Sequence, residues 1–224
     1  MRIGGFQKFT LIDYPGKIAA TVFTQGCNFR CGYCHNSQLA CPSQFQDPIE
    51  EWSVLEFLLS RQGKLQGVVV TGGEPTIQKG LLEFLAKLRS MNFKIKLDTN
   101  GSHPDILATI IDGGLVDFIA MDIKTSLSRY EEVIGVKVDT QHIKKSIDLI
   151  IQSNLSHQFR TTLVKKYCSE NDLKDIQILL GTPRSYVLQS FVDAPTIMDK
   201  EILKEAQYTS EDIQDFRLKF QREF

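Results

Sequence analysis

The stretch KIAATVFTQGCNFRCGYCHN (residues 17–36) joins a short β-rich segment to a loop that contains three cysteines. Its first ten residues are mostly small or β-branched and predict a strand. Cys27, Cys31 and Cys34 follow directly, with the spacing C-x3-C-x2-C. An extended chain spans roughly 3.3–3.6 Å per residue, so a loop of this length lets the three sulfur atoms converge on one centre. The stretch therefore predicts a thiolate site at the carboxyl end of a strand.

Three thiolates at one centre are compatible with zinc, Cu(I) or an iron–sulfur cluster. A structural zinc site needs four ligands. Cys41 is a candidate for the fourth, whereas His35 adjoins Cys34 and is poorly placed to bind the same ion. A cluster with three protein ligands would instead leave one iron open to a small molecule. Because electron transfer alone needs no open iron, that arrangement would indicate chemistry on a bound ligand.

The rest of the chain alternates between β-rich and helical segments. Strands are predicted at 17–26, 67–73, 93–101, 116–124, 157–165 and 185–193, and helices at 50–63, 79–92, 104–114, 140–153, 170–181 and from residue 209 onward. Repeated βα units indicate an α/β fold with a parallel sheet and right-handed crossovers. Periodicity alone allows either a doubly wound open sheet or a partial barrel of six βα units. In both folds, ligands bind at the carboxyl ends of the strands.

Composition limits the classes of protein to which the chain can belong. It has 224 residues, of which 42% are hydrophobic, and a formal net charge of −1. No basic arm or patch predicts a nucleic-acid partner, and no segment approaches the roughly 18 apolar residues of a membrane span. The N-terminus lacks the pattern of a signal peptide. Five clustered cysteines are typical of metal or redox sites in a reducing cytosol, so we expect a cytoplasmic protein with no membrane or nucleic-acid partner.

Polar residues follow the second and third predicted strands. In TGGEP (71–75), Gly72 and Gly73 would let the backbone approach a ligand without a Cβ in the way. Glu74 offers an acceptor to a ligand ammonium group, although a strand-ending turn with an exposed glutamate is the alternative. Asp98 begins the sequence DTNG (98–101) at the end of an apolar strand, where a carboxylate is costly unless it is paired.

Charged residues also follow the fourth and fifth predicted strands. Asp122 and Lys124 alternate along one strand and therefore share a face with Ala120. Together with Asp98, they would bind the polar end of a ligand or a small cation, or form an ion pair between neighbouring strands. Arg160 is a suitable partner for a ligand carboxylate, which a guanidinium binds in a fork; a surface ion pair is the alternative.

The cysteine spacing, with an aromatic residue (Tyr33) before the last cysteine and TGGEP after the next strand, resembles the radical S-adenosylmethionine (SAM) superfamily. The stretches LIDYPGKIAATVFTQGCNFRCGYCHNSQL and LDTNG resemble the activating enzymes of glycyl-radical proteins, in particular those of anaerobic ribonucleoside-triphosphate reductase. The resemblance covers residues 1–195, expected to be a single radical SAM domain, with residues 196–224 as a C-terminal helical extension. It implies a partial (β/α)6 barrel with a parallel sheet.

The resemblance also implies the cofactors and their contacts. One [4Fe–4S] cluster would be held by Cys27, Cys31 and Cys34, with S-adenosylmethionine on the open iron. The implied cofactor contacts are Tyr33, Gly72, Gly73, Glu74, Asp98, Thr99, Asn100, Asp122, Lys124 and Arg160. By the same resemblance, a monovalent cation beside the methionine carboxylate would be held by Asp98, Thr99, the Ala120 carbonyl and Asp122. Tyr33 would contact the adenine or pack the loop, and no catalytic residue separate from the cluster is expected.

The activity implied by the resemblance is reductive cleavage of S-adenosylmethionine and formation of a glycyl radical on anaerobic ribonucleoside-triphosphate reductase. Flavodoxin or ferredoxin would supply the electron. The alternatives are an activator of another glycyl-radical enzyme such as pyruvate formate-lyase, and a small-molecule radical enzyme such as a 7-carboxy-7-deazaguanine synthase. Outside the enzymes, the alternative is a zinc-stabilised binding module. Cys41 and Cys168 are expected to be structural.

Overall fold

The computed structural model of the protein describes residues 1–181, 185–194 and 196–221. In these residues seven strands form one sheet, whose spatial order is the same as their order in the chain. The strands are β1 (Ile3–Thr10), β2 (Ala19–Thr24), β3 (Gly67–Gly72), β4 (Lys94–Thr99), β5 (Phe118–Asp122), β6 (Ser156–Leu163) and β7 (Tyr186–Ser190).

The strand order decides between the two folds that the sequence allows. Strands β2 to β7 are all parallel, and each pairs with the next strand along the chain. A doubly wound sheet would contain a point where the strand order reverses. Here the order never reverses, so right-handed crossovers place the helices on one face of the sheet. The predicted partial barrel with six parallel strands is confirmed, and the sheet is not closed.

Strand β1 is absent from the sequence-based prediction. It pairs antiparallel to β2, with Ile3 opposite Thr24 and Thr10 opposite Ala19, and the register shifts twice along the pair. The sequence IGGFQKFT lacks regular alternation and contains two glycines, both of which weaken a strand pattern. Pairing with β2 therefore keeps this segment extended, which the local sequence alone does not indicate.

The helices connect the strands largely as the periodicity predicts. They are α1 (Ser37–Ala40), α2 (Glu51–Leu59), α3 (Leu81–Ser90), α4 (Pro104–Asp112), α5 (Tyr130–Ile134), α6 (Thr140–Gln152), α7 (Glu170–Leu180) and α8 (Ser210–Phe220). Short 3-10 helices lie at Pro42–Gln44, Pro75–Ile77, Leu127–Arg129 and Lys200–Lys204. Helix α8 begins at the predicted cap, since the Thr209 side chain accepts from the Asp212 amide. No helix in the described ranges is long and apolar enough to cross a membrane.

The two faces of the sheet carry different side chains. On β4, Ile95 and Leu97 are fully buried and belong to the large core between the sheet and the helices. Their neighbours Lys96 and Asp98 point to the concave face, because successive side chains of a strand alternate. Where β5 begins, the ring of Phe118 makes an edge-to-face contact with Tyr14, at 6.0 Å between ring centroids.

The C-terminal segment packs on the barrel at two places. At the edge of the sheet, the side chain of Gln221 accepts from the Leu188 amide at 3.0 Å, and the Nε of Arg217 donates to the Leu188 carbonyl at 3.2 Å. Next to the cysteine loop, the amide of Asp199 donates to the Gly32 carbonyl at 2.8 Å. The domain boundary that we predict at residue 195, and residues 222–224 of the extension, lie outside the described residues.

Candidate active site

One cavity of about 270 Å³ lies at the carboxyl ends of the parallel strands. Every residue that the sequence analysis proposes as a cluster ligand or cofactor contact lines it: Cys27, Cys31, Tyr33, Cys34, Gly72, Gly73, Glu74, Asp98, Thr99, Asn100, Asp122, Lys124 and Arg160. The structure therefore brings these residues together from five strand ends. We divide the site into a cysteine wall (residues 27–36 and 71–74) and a charged wall (Asp98, Asp122, Lys124 and Arg160, together with Lys96, which pairs with Asp98 from outside the cavity lining).

The cysteine wall begins with the loop after β2. Cys27, Cys31 and Cys34 are free thiols; Cys31 is buried and the other two are half-buried. Burial raises the pKa of Cys27 to about 12 and that of Cys31 to about 11, and it also raises the pKa of Cys34. Without a metal these thiols therefore keep their protons at neutral pH. Binding of a metal centre must displace those protons, since thiolates are the ligands.

Two side chains within the loop hold its shape, and the sequence analysis does not identify either of them. Arg30 turns back and donates through Nη1 to the carbonyls of Cys27 (2.6 Å) and Phe29 (2.7 Å). Asn28 joins the loop to the turn after β4: it donates to Ser102 Oγ at 2.9 Å and accepts from the Asn100 side chain at 3.0 Å. A polar residue between two candidate ligand cysteines is the only signal that the sequence offers for such an anchor.

The glycines of TGGEP are needed for a steric reason in addition to the predicted approach of a ligand. A Cβ on Gly73 would lie 2.0 Å from the Gly26 carbonyl oxygen, and one on Gly72 would lie 2.3 Å from the Thr24 amide nitrogen. Gly72 also has a φ of 118°, which L side chains rarely adopt. The missing side chains thus allow β3 to approach the end of β2. Whether the ligand also approaches these glycines remains a prediction.

Glu74 connects the ends of β3 and β4, and it is not the exposed turn residue of the alternative interpretation. Its side chain is 1% exposed. Oε1 accepts from the Thr76 amide, the Thr76 hydroxyl and the Thr99 hydroxyl at 2.6–3.1 Å, while Oε2 accepts from the Asn100 amide at 2.7 Å. Burial raises the pKa of Glu74, although these hydrogen bonds act in the opposite direction. Oε2 has a single donor and keeps capacity for a ligand ammonium group.

The charged wall is an ion-pair network across β4, β5 and β6. Arg160 donates to both aspartates: its Nε lies 2.8 Å from Asp122 Oδ1, and its Nη1 lies 3.3 Å from Asp98 Oδ2. Lys124 lies 3.0 Å from the second oxygen of Asp122, and Lys96 lies 2.5 Å from the second oxygen of Asp98. Burial alone would raise the pKa of Asp122, but Arg160 and Lys124 hold it well below its usual range. The internal ion pair that the sequence allowed as an alternative is present.

Lys96 is the member of this network that the sequence analysis misses. Its side chain is 3% exposed and lies beneath Asp98, with its ammonium group 6.0 Å from the centroid of the Phe118 ring. Burial lowers its pKa, while Asp98 opposes that effect. The available signal was positional: Lys96 precedes Asp98 by two residues on one strand, which places both side chains on the same face.

Tyr33 and the remaining cysteines mainly pack the fold. Tyr33 is 5% exposed and its ring lies 5.9 Å from the Tyr167 ring, which supports the interpretation that it packs the loop. Contact between its backbone and an adenine remains a prediction. Cys168 is fully buried in the core, as befits a structural thiol. Cys41 is half-buried beyond the cavity lining.

The profile of the radical SAM superfamily matches residues 21–177, from β2 to α7. This is more than half of the chain, so the protein belongs to the radical SAM superfamily. It is 33% identical over 195 residues to a Methanocaldococcus jannaschii protein named "Putative glycyl-radical enzyme activating enzyme MJ1227", with 84% of this chain and 79% of that protein covered.

Other relatives carry the names of small-molecule enzymes. A probable GTP 3',8-cyclase of Pyrococcus horikoshii is 26% identical over 84% of this chain, which spans 61% of that protein. A 7-carboxy-7-deazaguanine synthase of Rhodopirellula baltica is 26% identical over 68% of this chain and 56% of its own length. Streptococcus suis SuiB bound to the precursor peptide SuiA has the same fold, with a TM-score of 0.63 at 15% identity over 89% of this chain and 45% of SuiB.

Enzymes of this superfamily use a [4Fe–4S] cluster and S-adenosylmethionine, and the residues of the cavity fit both. The cysteine wall offers three thiols that are free of disulfide bonds. The charged wall has three cationic side chains for two carboxylates, which suits a ligand carboxylate. No three His, Cys, Asp or Glu within the described ranges gather tightly enough for a single metal ion. The thiolates of a [4Fe–4S] cluster bind separate irons and need not meet at one point.

Proposed function

We propose that the protein is a radical SAM activating enzyme that generates a glycyl radical on a partner protein. The observation that carries this proposal is the similarity to the M. jannaschii protein, which extends over 84% of this chain and 79% of that relative. The cysteine loop, TGGEP and the DTNG turn line one cavity within the matched region. The region that the radical SAM profile matches therefore includes the whole of the proposed site.

Different residues of the cavity would bind the cluster and the methionine moiety of S-adenosylmethionine. Cys27, Cys31 and Cys34 would hold the cluster, which together with S-adenosylmethionine supplies a 5′-deoxyadenosyl radical on reduction. Glu74 would accept from the amino group of the methionine moiety. Lys124 and Arg160 would bind its carboxylate, since a guanidinium and an ammonium both pair with carboxylates.

The contacts to the rest of the cosubstrate come from neighbouring strand ends. The Tyr33 backbone would contact the adenine, and the glycines Gly72 and Gly73 would lie along the methionine moiety. Thr99 and Asn100 would keep Glu74 in place, as both donate to its carboxylate at 2.7 Å. The carboxylates of Asp98 and Asp122 would orient Arg160 toward the ligand.

For the partner, we propose anaerobic ribonucleoside-triphosphate reductase, with flavodoxin or ferredoxin as the electron donor and a cytoplasmic location. The support is the resemblance of LIDYPGK and LDTNG to the activators of that reductase. The connection from Cys34 to α2 contains no further cysteine-rich insert, because Cys41 is its only cysteine. This compact connection favours the reductase activator or a pyruvate formate-lyase activator over larger activating enzymes.

Mixing reduced, cluster-loaded protein and S-adenosylmethionine with candidate partners would test the proposal. Formation of a glycyl doublet in the electron paramagnetic resonance spectrum of the reductase, together with one methionine per radical, is the expected result. A reductase whose radical-bearing glycine is replaced by alanine is the matched control and should show no doublet. Methionine release without a doublet on any glycyl-radical protein would overturn the activator assignment.

A small-molecule radical reaction is the second candidate, favoured by the similarity to the deazaguanine synthase and the GTP cyclase. It predicts that GTP or another small molecule related to guanine, and no protein, accelerates methionine release. Iron analysis tests the non-enzymatic alternative. About four irons per chain after anaerobic reconstitution are expected, whereas a zinc-stabilised module would bind zinc and stay colourless.

A further inference from the structure

Every carboxylate oxygen of the charged wall is already paired with a cationic side chain. The four oxygens of Asp98 and Asp122 each accept from one cationic group, at 2.5–3.3 Å. Two of these contacts come from Arg160, which bridges the aspartates; the others come from Lys96 and Lys124. A monovalent cation between the aspartates, which the family resemblance implies, would have to share these oxygens with three cationic side chains.

Of the two remaining implied cation ligands, Thr99 and the Ala120 carbonyl, Thr99 has its hydroxyl engaged by Glu74. The Thr99 hydroxyl donates to Glu74 Oε1 at 2.7 Å and accepts from the Gly101 amide at 3.1 Å. Thr99 follows Asp98 directly on β4, so its side chain lies on the opposite face of the strand. Only its backbone carbonyl would be left to contribute to a cation site beside Asp98.

The charge balance of this wall also disfavours a dissolved cation. Three cationic side chains face two carboxylates, so the wall carries one excess positive charge, which matches the single negative charge of a methionine carboxylate. A dissolved cation would raise the excess to two charges in a partly buried cavity that also receives a sulfonium. Like charges in such an environment repel strongly.

We propose that Lys96 is a built-in counter-ion that takes the place of the monovalent cation, so that this enzyme binds S-adenosylmethionine without K⁺ or Na⁺. Lys96 is suited to this role because it is 3% exposed and held between Asp98 and the Phe118 ring. Even if Arg160 turned toward the ligand carboxylate, Lys96 would still neutralise Asp98. The inference rests on S-adenosylmethionine binding in this cavity, and not on the identity of the protein partner.

The test measures the Kd of S-adenosylmethionine for cluster-loaded protein, in K⁺, Na⁺ or tetramethylammonium salts of equal ionic strength. For the wild type, we expect values within twofold of each other, and no site-specific signal from bound thallium(I), a spectroscopic substitute for K⁺. Tighter binding by tenfold or more in K⁺ than in tetramethylammonium would overturn the proposal. This arm needs no variant, so it does not depend on whether a substituted protein folds.

Lys96→Met is the decisive variant, because it removes the charge and keeps the length of the side chain. We expect its Kd to weaken by tenfold or more in tetramethylammonium and to recover to within threefold in K⁺, with a new thallium signal. Lys94→Met is the matched control: Lys94 lies on the same strand but pairs with Asp117 outside the cavity, so the variant should behave as wild type. A Lys96→Met protein with wild-type Kd in every salt would refute the proposal.

Failure of the proposed function and failure of the role proposed for Lys96 give different experimental results. Binding is measured without any partner protein, so a missing glycyl radical on the reductase would leave these values unchanged. Conversely, K⁺-dependent binding by the wild type would overturn the role of Lys96 and leave the activator assignment intact.

Discussion

The two walls of the cavity are held together by different forces. In the cysteine wall, the position of the loop depends on backbone contacts so close that a single Cβ would not fit, as at Gly73 and Gly26. In the charged wall, the strands are joined by ion pairs between side chains such as Arg160 and Asp122. Backbone contacts fix a geometry, whereas ion pairs can exchange one partner for another. The first wall is therefore suited to hold a cluster in place, and the second to admit a charged ligand.

The largest expected effect is loss of S-adenosylmethionine cleavage when the cysteine wall loses one thiolate. Replacing Cys27, Cys31 or Cys34 by Ala should abolish reductive cleavage of S-adenosylmethionine, because each removes one of three thiolates. Cys41→Ala and Cys168→Ala should retain it. Methionine release by anaerobically reconstituted protein is the measurement. Loss of cleavage in Cys41→Ala would mean that the cluster has a ligand outside the cysteine wall.

A second expected difference concerns the reactivity of the thiols before the cluster is loaded. Only the thiolate reacts with iodoacetamide, and burial raises the pKa of Cys27 to about 12 and that of Cys31 to about 11. At pH 8, both should react at least about 100-fold more slowly than in urea-unfolded protein, whose thiols have a pKa near 8.5.

The pH profile of that reaction tests the direction of the pKa shift. In the folded protein the rate should rise about tenfold per pH unit between pH 8 and 10, whereas in the unfolded protein it should level off above about pH 9. Peptide-resolved mass spectrometry separates the cysteines. A plateau near pH 9 for Cys27 and Cys31 in the folded protein would contradict the prediction.

Disturbing the close backbone contact in the cysteine wall should lower the free energy of unfolding. Gly73→Ala places a Cβ 2.0 Å from the Gly26 carbonyl oxygen, so we expect the free energy of unfolding to fall by about 3 kcal/mol. Gly5→Ala is the control, because its nearest atom would be Phe23 Cβ at 3.4 Å, close to ordinary contact. Urea unfolding of both cluster-free variants measures the difference, and equal midpoints would show that the loop can move aside.

The smallest effect is expected on the melting temperature at acid pH, where the ion pairs of the charged wall weaken. The pKa of Asp122 in the folded protein lies below its unfolded value of about 3.9, so its contribution to stability is complete above that pH and is lost as the pH falls toward the folded pKa. Between pH 6.5 and pH 3, the melting temperature of the wild type should fall more than that of Asp122→Asn. Parallel curves would show that the ion pairs do not couple to folding.

The sequence predicts the two walls unequally well. The parallel strands and the cysteine loop follow from local patterns, and the motif glycines mark a place where a side chain cannot fit. Strand β1 could not be predicted, because its order comes from pairing with β2 and not from IGGFQKFT itself. Lys96 was missed because a lysine within a strand normally indicates a solvent-exposed face. Its ammonium group lies near the Phe118 ring, which comes from another strand and itself packs against Tyr14.

The contact between Asp199 and Gly32 has a consequence for the order in which the protein is made. The ribosome synthesises the three cysteines well before the segment around Asp199 that covers their loop. Ile202, which lies against Gly32, completes that cover. During translation the thiols therefore stay accessible to iron–sulfur carriers and oxidants alike until the segment around Asp199 has been made and packs on the loop.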